Sequence, residues 1–284
     1  MTSNLPRRLV VTADDFGADV AVNEAVEIAH RQGILTAASL MVGAPGAPDA
    51  VARARATPSL RVGLHLVLVD GRPVLPPSKV SLLVDGEGRF RPNMALAGAT
   101  MFFSPRARRQ LAAEIAAQFE AFAATGLVLD HVNAHKHFHL HPTIAGLILR
   151  IGARHGMKAA RIPVEPQRVI ARLEPRGPPP AQPVVNLVAA MAKRRFARAG
   201  VAAPDQVFGL AWSGAMTAQR LKGLIAALPP GLSEIYLHPS TSASFTGAAA
   251  GYRYQDELAA LIDEDVVAAA RQSGLRLGGF RDFC

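Results

Sequence analysis

A single cysteine, Cys284 at the C-terminus, stands among the 284 residues, so an internal disulfide framework is excluded and a reducing cytoplasm is the expected setting. Long apolar runs are also missing. None reaches the roughly 20 residues that cross a bilayer, and no N-terminal stretch reads as a signal peptide. Aromatics make up only 6% of the chain. With no RNA- or DNA-binding motif beside them, that scarcity argues against a nucleic-acid partner. Acids are short as well: 22 Asp and Glu against 31 Lys and Arg leave a net charge of +9. A surface of that sign ordinarily meets an anionic partner, such as phosphate or a membrane. The surplus is local, because between positions 161 and 200 eight Lys and Arg face only Glu165 and Glu174.

What is present is globular. Half the residues are hydrophobic, enough for a sizeable core, and the length suits a single α/β barrel domain over 1–284. Residues 8–12 form an apolar strand, and Asp19 is placed to cap a helix that runs to about Gln32, where Gly33 stops it. Strands follow at 35–42 and 60–64, with a short helix between them near 49–56. Residues 70–100 are rich in Gly and Pro, show no helical period, and read as long loops above the sheet. An amphipathic helix spans 105–125, with Leu111, Ile115, Phe119 and Phe122 on one side. Gly126 to Leu129 reads as a turn into a buried strand, and Pro142 starts a helix to about His155. A fifth strand is expected at 158–164, then an insertion at about 165–204 with a proline run at 175–183 and a helix at 184–198. The rhythm resumes with a strand at 207–211, a helix at 218–227, a strand at 234–237, and a last helix and strand within 256–277. About eight strands alternating with helices predict a parallel sheet, closed or nearly closed into a barrel.

The most informative stretch is DHVNAHKHFHLHP at 130–142, which holds five of the nine histidines: His131, His135, His137, His139 and His141. It sits where a strand hands over to a helix, the end of a parallel sheet at which chemistry is done. In an extended chain the last four would share one face, because side chains alternate with period two; at most one or two could reach a common metal. Three other motifs end predicted strands: Asp14-Asp15, His65 and His238-Pro239. Singly, each has an ordinary reading, as a helix cap, a core histidine or a turn. Together they converge on one rim. One carboxylate and two histidines with a position open for water make a hydrolytic Zn-type ligand set. A second carboxylate beside them serves as a general base, and an imidazole opposite has a pKa suited to protonating a leaving amine.

The motifs TADDFG (12–17), GLHL (63–66), HVNAHKHFHLHP (131–142), LHP (237–239) and the closing RLGGFRDF resemble the YdjC/ChbG carbohydrate deacetylases, in order and over nearly the whole chain. The resemblance implies a deformed (β/α) barrel of the polysaccharide-deacetylase type, with the active site at the C-terminal ends of the strands. It also implies metal-dependent removal of an N-acetyl group from an amino sugar. Matched residue by residue, Asp15, His65 and His135 would hold one divalent ion, Zn2+ or Mg2+. Asp14 would be the base and His238 the general acid. One departure is visible: many relatives carry Asp where this chain has Asn133. LTAASLMVGAP, FGLAWSGAMT and NAHKHFHLHP resemble the hopanoid-biosynthesis-associated branch, which implies a lipid-linked substrate, N-acetylglucosamine on a bacteriohopane. Soluble chito-oligosaccharides are the alternative substrate, and a metallo-phosphoesterase or a basic nucleic-acid-binding protein are the alternative functions. The basic helix at 184–198 also has an apolar face (Val185, Val188, Ala189, Ala192, Phe196), which predicts a peripheral contact with the inner membrane. A homodimer is compatible with everything above.

Overall fold

The computed structural model describes residues 6–175 and 182–284, and most of the proline run at 175–183 lies outside them. Its centre is β1 (Arg7–Phe16), a ten-residue strand whose middle six residues are all buried. Around it the chain alternates in order: α1 (Val20–Gln32), β2 (Ala37–Leu40), α2 (Ala47–Ala56), β3 (Arg61–Leu66), α3 (Met94–Phe103), α4 (Pro105–Ala124), β4 (Val132–Ala134) and α5 (Pro142–Gly152). Then come α6 (Gln167–Leu173), α7 (Gln182–Arg198), β5 (Gln206–Phe208), α8 (Ala218–Ala227), β6 (Gly231–Leu237), α9 (Tyr254–Ile262), α10 (Glu264–Gln272) and β7 (Arg276–Leu277). The strands pair in the order β4-β3-β2-β1-β6-β5, with β7 against the start of β1, and every pairing is parallel. Parallel neighbours need crossovers, which the helices supply on the outside of the curled sheet.

Expectation and structure agree closely where local chemistry decides. Asp19 caps α1 by accepting the Ala21 amide, Gly33 ends that helix, and α8 begins after a Thr217 cap. Leu111, Ile115, Phe119 and Phe122 of α4 are all buried. Four assignments change. The fourth strand lies at Val132–Ala134 rather than in the turn before it, and Val128 is 65% exposed. The expected fifth strand survives only as a link. Its Ala159 carbonyl accepts the Val132 amide of β4, its Arg161 amide donates to the Val132 carbonyl, and the Val164 carbonyl accepts the Val207 amide of β5, so the two edge strands are tied together. Residues 70–100 are not wholly loop, since α3 begins there, capped by Asn93. The last helix is two, α9 and α10.

The insertion also differs from expectation. Of the apolar face expected at 184–198, Ala189, Ala192 and Phe196 are buried in the main core. Lys193 donates to the Pro204 and Asp205 carbonyls at 2.7 and 3.0 Å, and Arg195 donates to the Pro142 carbonyl at 2.7 Å. Those three side chains are packed inward, while Leu187 and Met191 of the same helix are exposed, so the apolar face expected to meet the membrane is only partly free. Among the described residues, no helix is long and apolar enough to cross a membrane.

Candidate active site

Consecutive residues of a regular strand point to opposite sides, yet Asp14 and Asp15 both reach the same imidazole. The strand is irregular here: its register against β2 shifts between Ala13 and Phe16, and Asp15 takes a left-handed φ of 62°. Such bulges re-aim side chains next to functional sites. His65 Nδ1 lies 4.0 Å from Asp14 Oδ1, and its Nε2 lies 3.3 Å from Asp15 Oδ1. His135 Nδ1 approaches the same Asp15 oxygen at 3.3 Å. The histidine tract does not stay extended after that. Lys136 and His137 both adopt left-handed φ, 52° and 54°, and the chain coils into a short helical turn. Of the tract, His135 is the residue that reaches Asp15.

One donor atom from each of Asp15, His65 and His135 falls within 4.8 Å of the others. Asp15 Oδ1 and His65 Nε2 are buried and have no hydrogen-bond partner, which is costly for polar atoms unless something else fills the gap. Two imidazole nitrogens and a carboxylate oxygen are a Zn-type donor set. Bonds of about 2.0–2.1 Å in tetrahedral geometry would hold ligand atoms about 3.3–3.4 Å apart, close to the 3.3 Å separations from Asp15 Oδ1. The three residues fit a divalent ion.

The orientation of His65 is set from behind. Across the β3–β4 pairing His65 stands opposite Asn133, and its Nδ1 is 2.7 Å from Asn133 Oδ1. An amide oxygen only accepts, so Nδ1 carries a proton and Nε2 is the ring atom turned to the site. Asn133 Nδ2 donates to Asp14 Oδ1 at 3.0 Å and to Ser39 Oγ at 2.9 Å. Ser39 in turn meets His131 Nε2 at 2.9 Å, and His131 Nδ1 meets Asp130 Oδ2 at 2.9 Å. Asp130 is anchored by the amides of Phe280 and Arg281. The His131 ring stacks on Phe280 with centroids 4.3 Å apart, over Gly63, where a Cβ would sit 2.5 Å from the imidazole. His131 is thus a buried support. Where relatives are expected to carry Asp, Asn133 uses both ends of a neutral amide.

Asp14 is buried beside a charge that lies far from it along the chain. Arg161, itself fully buried, donates through one amino group to Asp14 Oδ2 and through Nε (2.9 Å) and the other amino group (2.6 Å) to Glu234 Oε1. Its guanidinium carbon lies 4.4 Å from the centre of the Tyr236 ring. Burial alone would push the Asp14 carboxyl up, but Arg161 and then His65 hold it well below the usual carboxylate range. Asp15 behaves alike: burial opposes ionisation, and His135 and His65 overcome it. Both aspartates are therefore anions, and Arg161 is shared with Glu234, which leaves the site short of positive charge.

His238 follows β6 directly. Its amide donates to Glu257 Oε2, its Nδ1 lies 3.9 Å from the same oxygen, and the rings of Tyr236 and Tyr252 flank it at 5.7 and 5.0 Å. His137 Nε2 is 3.0 Å from the Tyr236 hydroxyl. Burial, then Arg161, keeps His137 well below the ordinary histidine value and takes His139 down to about 3. Both imidazoles are thus held neutral, and His141 lies against Phe102 and Phe138. A cavity of about 360 Å³ opens beside Asp15 and His135, walled in part by Met41, Pro45, Val67, Val74 and Phe245.

This arrangement can be set beside known proteins. The family model for YdjC-like proteins matches residues 8–272. The chain belongs to the YdjC-like family. A carbohydrate deacetylase of Geobacillus stearothermophilus is 30% identical over 98% of this chain and 99% of its own length. One of Brevibacillus brevis is 40% identical over 55% of this chain, and the chain spans only 58% of that relative. A solved Enterococcus faecalis protein, assigned provisionally to cellobiose-phosphate cleavage, superposes with a TM-score of 0.75 over 98% of each chain at 21% identity, a likeness of fold. The sequence had singled out five residues of the site, and the fold brings Asp14, Asp15, His65 and His135 together with His238 on the same rim. It passed over Arg161, Glu234 and Glu257. The available signal was a charged residue inside an otherwise apolar strand segment, as in AARIPV and GLSEIYL.

Proposed function

We propose that this YdjC-like chain hydrolyses the acetamido group of an amino sugar with the help of a divalent ion held by Asp15, His65 and His135. The observation that carries the proposal is the set of buried, unpartnered donor atoms on Asp15 and His65, next to the ionised Asp14 at the edge of a cavity. When bound, the ion polarises a carbonyl and makes hydroxide accessible near neutral pH. Asp14, fixed by Arg161 and Asn133, takes the proton of the attacking water. Its depressed pKa makes it a modest base but keeps it ionised at every working pH. His238, held by Glu257, gives a proton to the sugar nitrogen as the C–N bond breaks. The products are acetate and a free amine.

For the substrate, the hopanoid-branch motifs favour N-acetylglucosamine on a bacteriohopane lipid, and the apolar wall of the cavity has the chemistry such an aglycone needs. The metal-loaded protein, offered acetylglucosaminyl hopanoid and diacetylchitobiose separately, should release acetate from the lipid faster than from the soluble sugar. Acetate from neither substrate, with metal bound, would refute deacetylation; acetate from chitobiose alone would replace the lipid with soluble chito-oligosaccharides.

A further inference from the structure

The stretch from Gly88 to Ala113 contains five arginines, Arg89, Arg91, Arg106, Arg108 and Arg109, and no acid. In its middle lies α3, ten residues (MALAGATMFF) without a charge. A helix so apolar would ordinarily be buried all round. Here only Ala97, Gly98 and Met101 are buried, while Leu96 is 54%, Phe102 48% and Phe103 78% exposed. Leu96, Ala99 and Phe103 fall at helical spacing on one row, with Ala95 and Phe102 on the adjoining row. Phe103 is the most exposed large apolar side chain among the described residues.

The arginines around this face are unusual in two ways. Among the described residues, none of their guanidinium groups has an ion-pair or hydrogen-bond partner. Arg106 and Arg108 also stand in the first turn of α4, where no acid is present and where the helix dipole disfavours positive charge. Neither an ion pair nor the helix dipole therefore accounts for their placement. Four of the five, all but Arg89, are exposed. An uncharged helix with protruding Phe and Leu, rimmed by unpaired arginines, has the pattern of an element lying in the headgroup layer of an anionic bilayer. A second copy of the chain is a poorer occupant, because a two-fold contact through this patch would bring like charges together without a counter-charge. A nucleic acid would satisfy the arginines and leave the phenylalanines in water.

We infer that α3 and its arginine rim dock this protein on anionic phospholipid. The position of the patch gives the contact a use. The connection from β3 to α4 that carries α3 leaves the sheet at its C-terminal end, just past His65, and its Val67, Val74 and Arg89 line the cavity beside Asp15 and His135. Phe102 packs edge-on against His141, with ring centroids 6.3 Å apart. A bilayer under α3 would thus lie on the rim where the cavity opens. The inference does not depend on which bond the site cleaves.

Sedimentation with vesicles tests it. The metal-loaded protein should pellet with phosphatidylglycerol–phosphatidylcholine vesicles and stay in solution with phosphatidylcholine alone. Arg106→Glu/Arg109→Glu should weaken binding by at least about tenfold, and Leu96→Ser/Phe103→Ser by a similar factor. The control Arg194→Glu/Arg198→Glu, with the same change of charge on α7, should bind like the parent. All variants alter exposed side chains, and acetate release from a soluble acetylated sugar should be unchanged in each, which separates a failure of docking from a failure of the site. Patch variants that bind as well as the parent, or equal binding to zwitterionic vesicles, would overturn the inference. A dimer in light scattering that becomes monomeric in Leu96→Ser/Phe103→Ser would overturn it in favour of a second copy.

Discussion

Replacing Arg161 with Met is the most demanding test of the site's electrostatics. The side chain is fully buried, and its two partners, Asp14 and Glu234, are no more than 5% exposed. Removing the cation strands two carboxylates. Thr12 still donates to Glu234 Oε1 at 2.8 Å and Asn133 to Asp14, but Glu234 Oε2 already lacks a partner. Breaking a buried ion pair costs about 3–5 kcal/mol, a large part of the roughly 5–15 kcal/mol by which an ordinary domain is stable. The loss is readable in equilibrium urea unfolding by the fluorescence of Trp212, the only tryptophan and a buried one. A companion Arg161→Met/Glu234→Leu protein removes one stranded charge and should recover roughly half the loss. Activity gives a second readout. Because Arg161 holds the Asp14 carboxyl down, its removal lets that pKa rise, and the acid limb of kcat/KM should move to higher pH. The stability contributed by Asp14 in the parent is present above the unfolded carboxylate value of about 3.9 and is lost as pH falls through the lower folded value. A loss under about 1 kcal/mol together with an unmoved acid limb would refute the reasoning.

Three further outcomes follow from the same contacts. His65→Ala or His135→Ala removes one of three donors and should strip the ion, whereas Asp14→Asn should retain it and lose a factor of roughly 10² to 10⁴ in kcat; a full equivalent of metal by elemental analysis in His135→Ala contradicts the ligand assignment. His238→Ala should keep metal and lose kcat, less so for an acetylated sugar with a better leaving group, and equal losses on good and poor leaving groups would mean that His238 only positions substrate. His139 is held neutral down to about pH 3 while its unfolded counterpart protonates near 6.5. The unfolded state therefore binds the extra proton between those values, and stability should fall on acidification across that window by up to about 1.4 kcal/mol per pH unit. His139→Leu should flatten the slope, and identical slopes in the two proteins would argue against a buried neutral imidazole.

The sequence by itself determined what is local. Asp19 and Gly33 bound α1 because a short acceptor and a stop residue act within one helical turn. The apolar stripe of α4 declared its buried face, and Asp14-Asp15, His65, His135 and His238 stood out because each ends a strand-like run. Other features depended on partners distant in the chain. Residues 127–129 looked like the better strand, but the sheet takes Val132–Ala134, whose polar Asn133 is repaid by Asp14, Ser39 and His65 from other strands. The period-two argument for the histidine tract assumed an extended chain, and two left-handed residues ended that at His135. Helix α3 carries no amphipathic signal, because its exposed face is as apolar as its buried one. The charge that controls Asp14 comes from Arg161, 147 residues away, and is shared with Glu234, 73 residues farther on. Spacing along a chain carries no information about such a meeting. Only closing the sheet brings the three side chains into one dry interior, where the ionisation of each depends on the others.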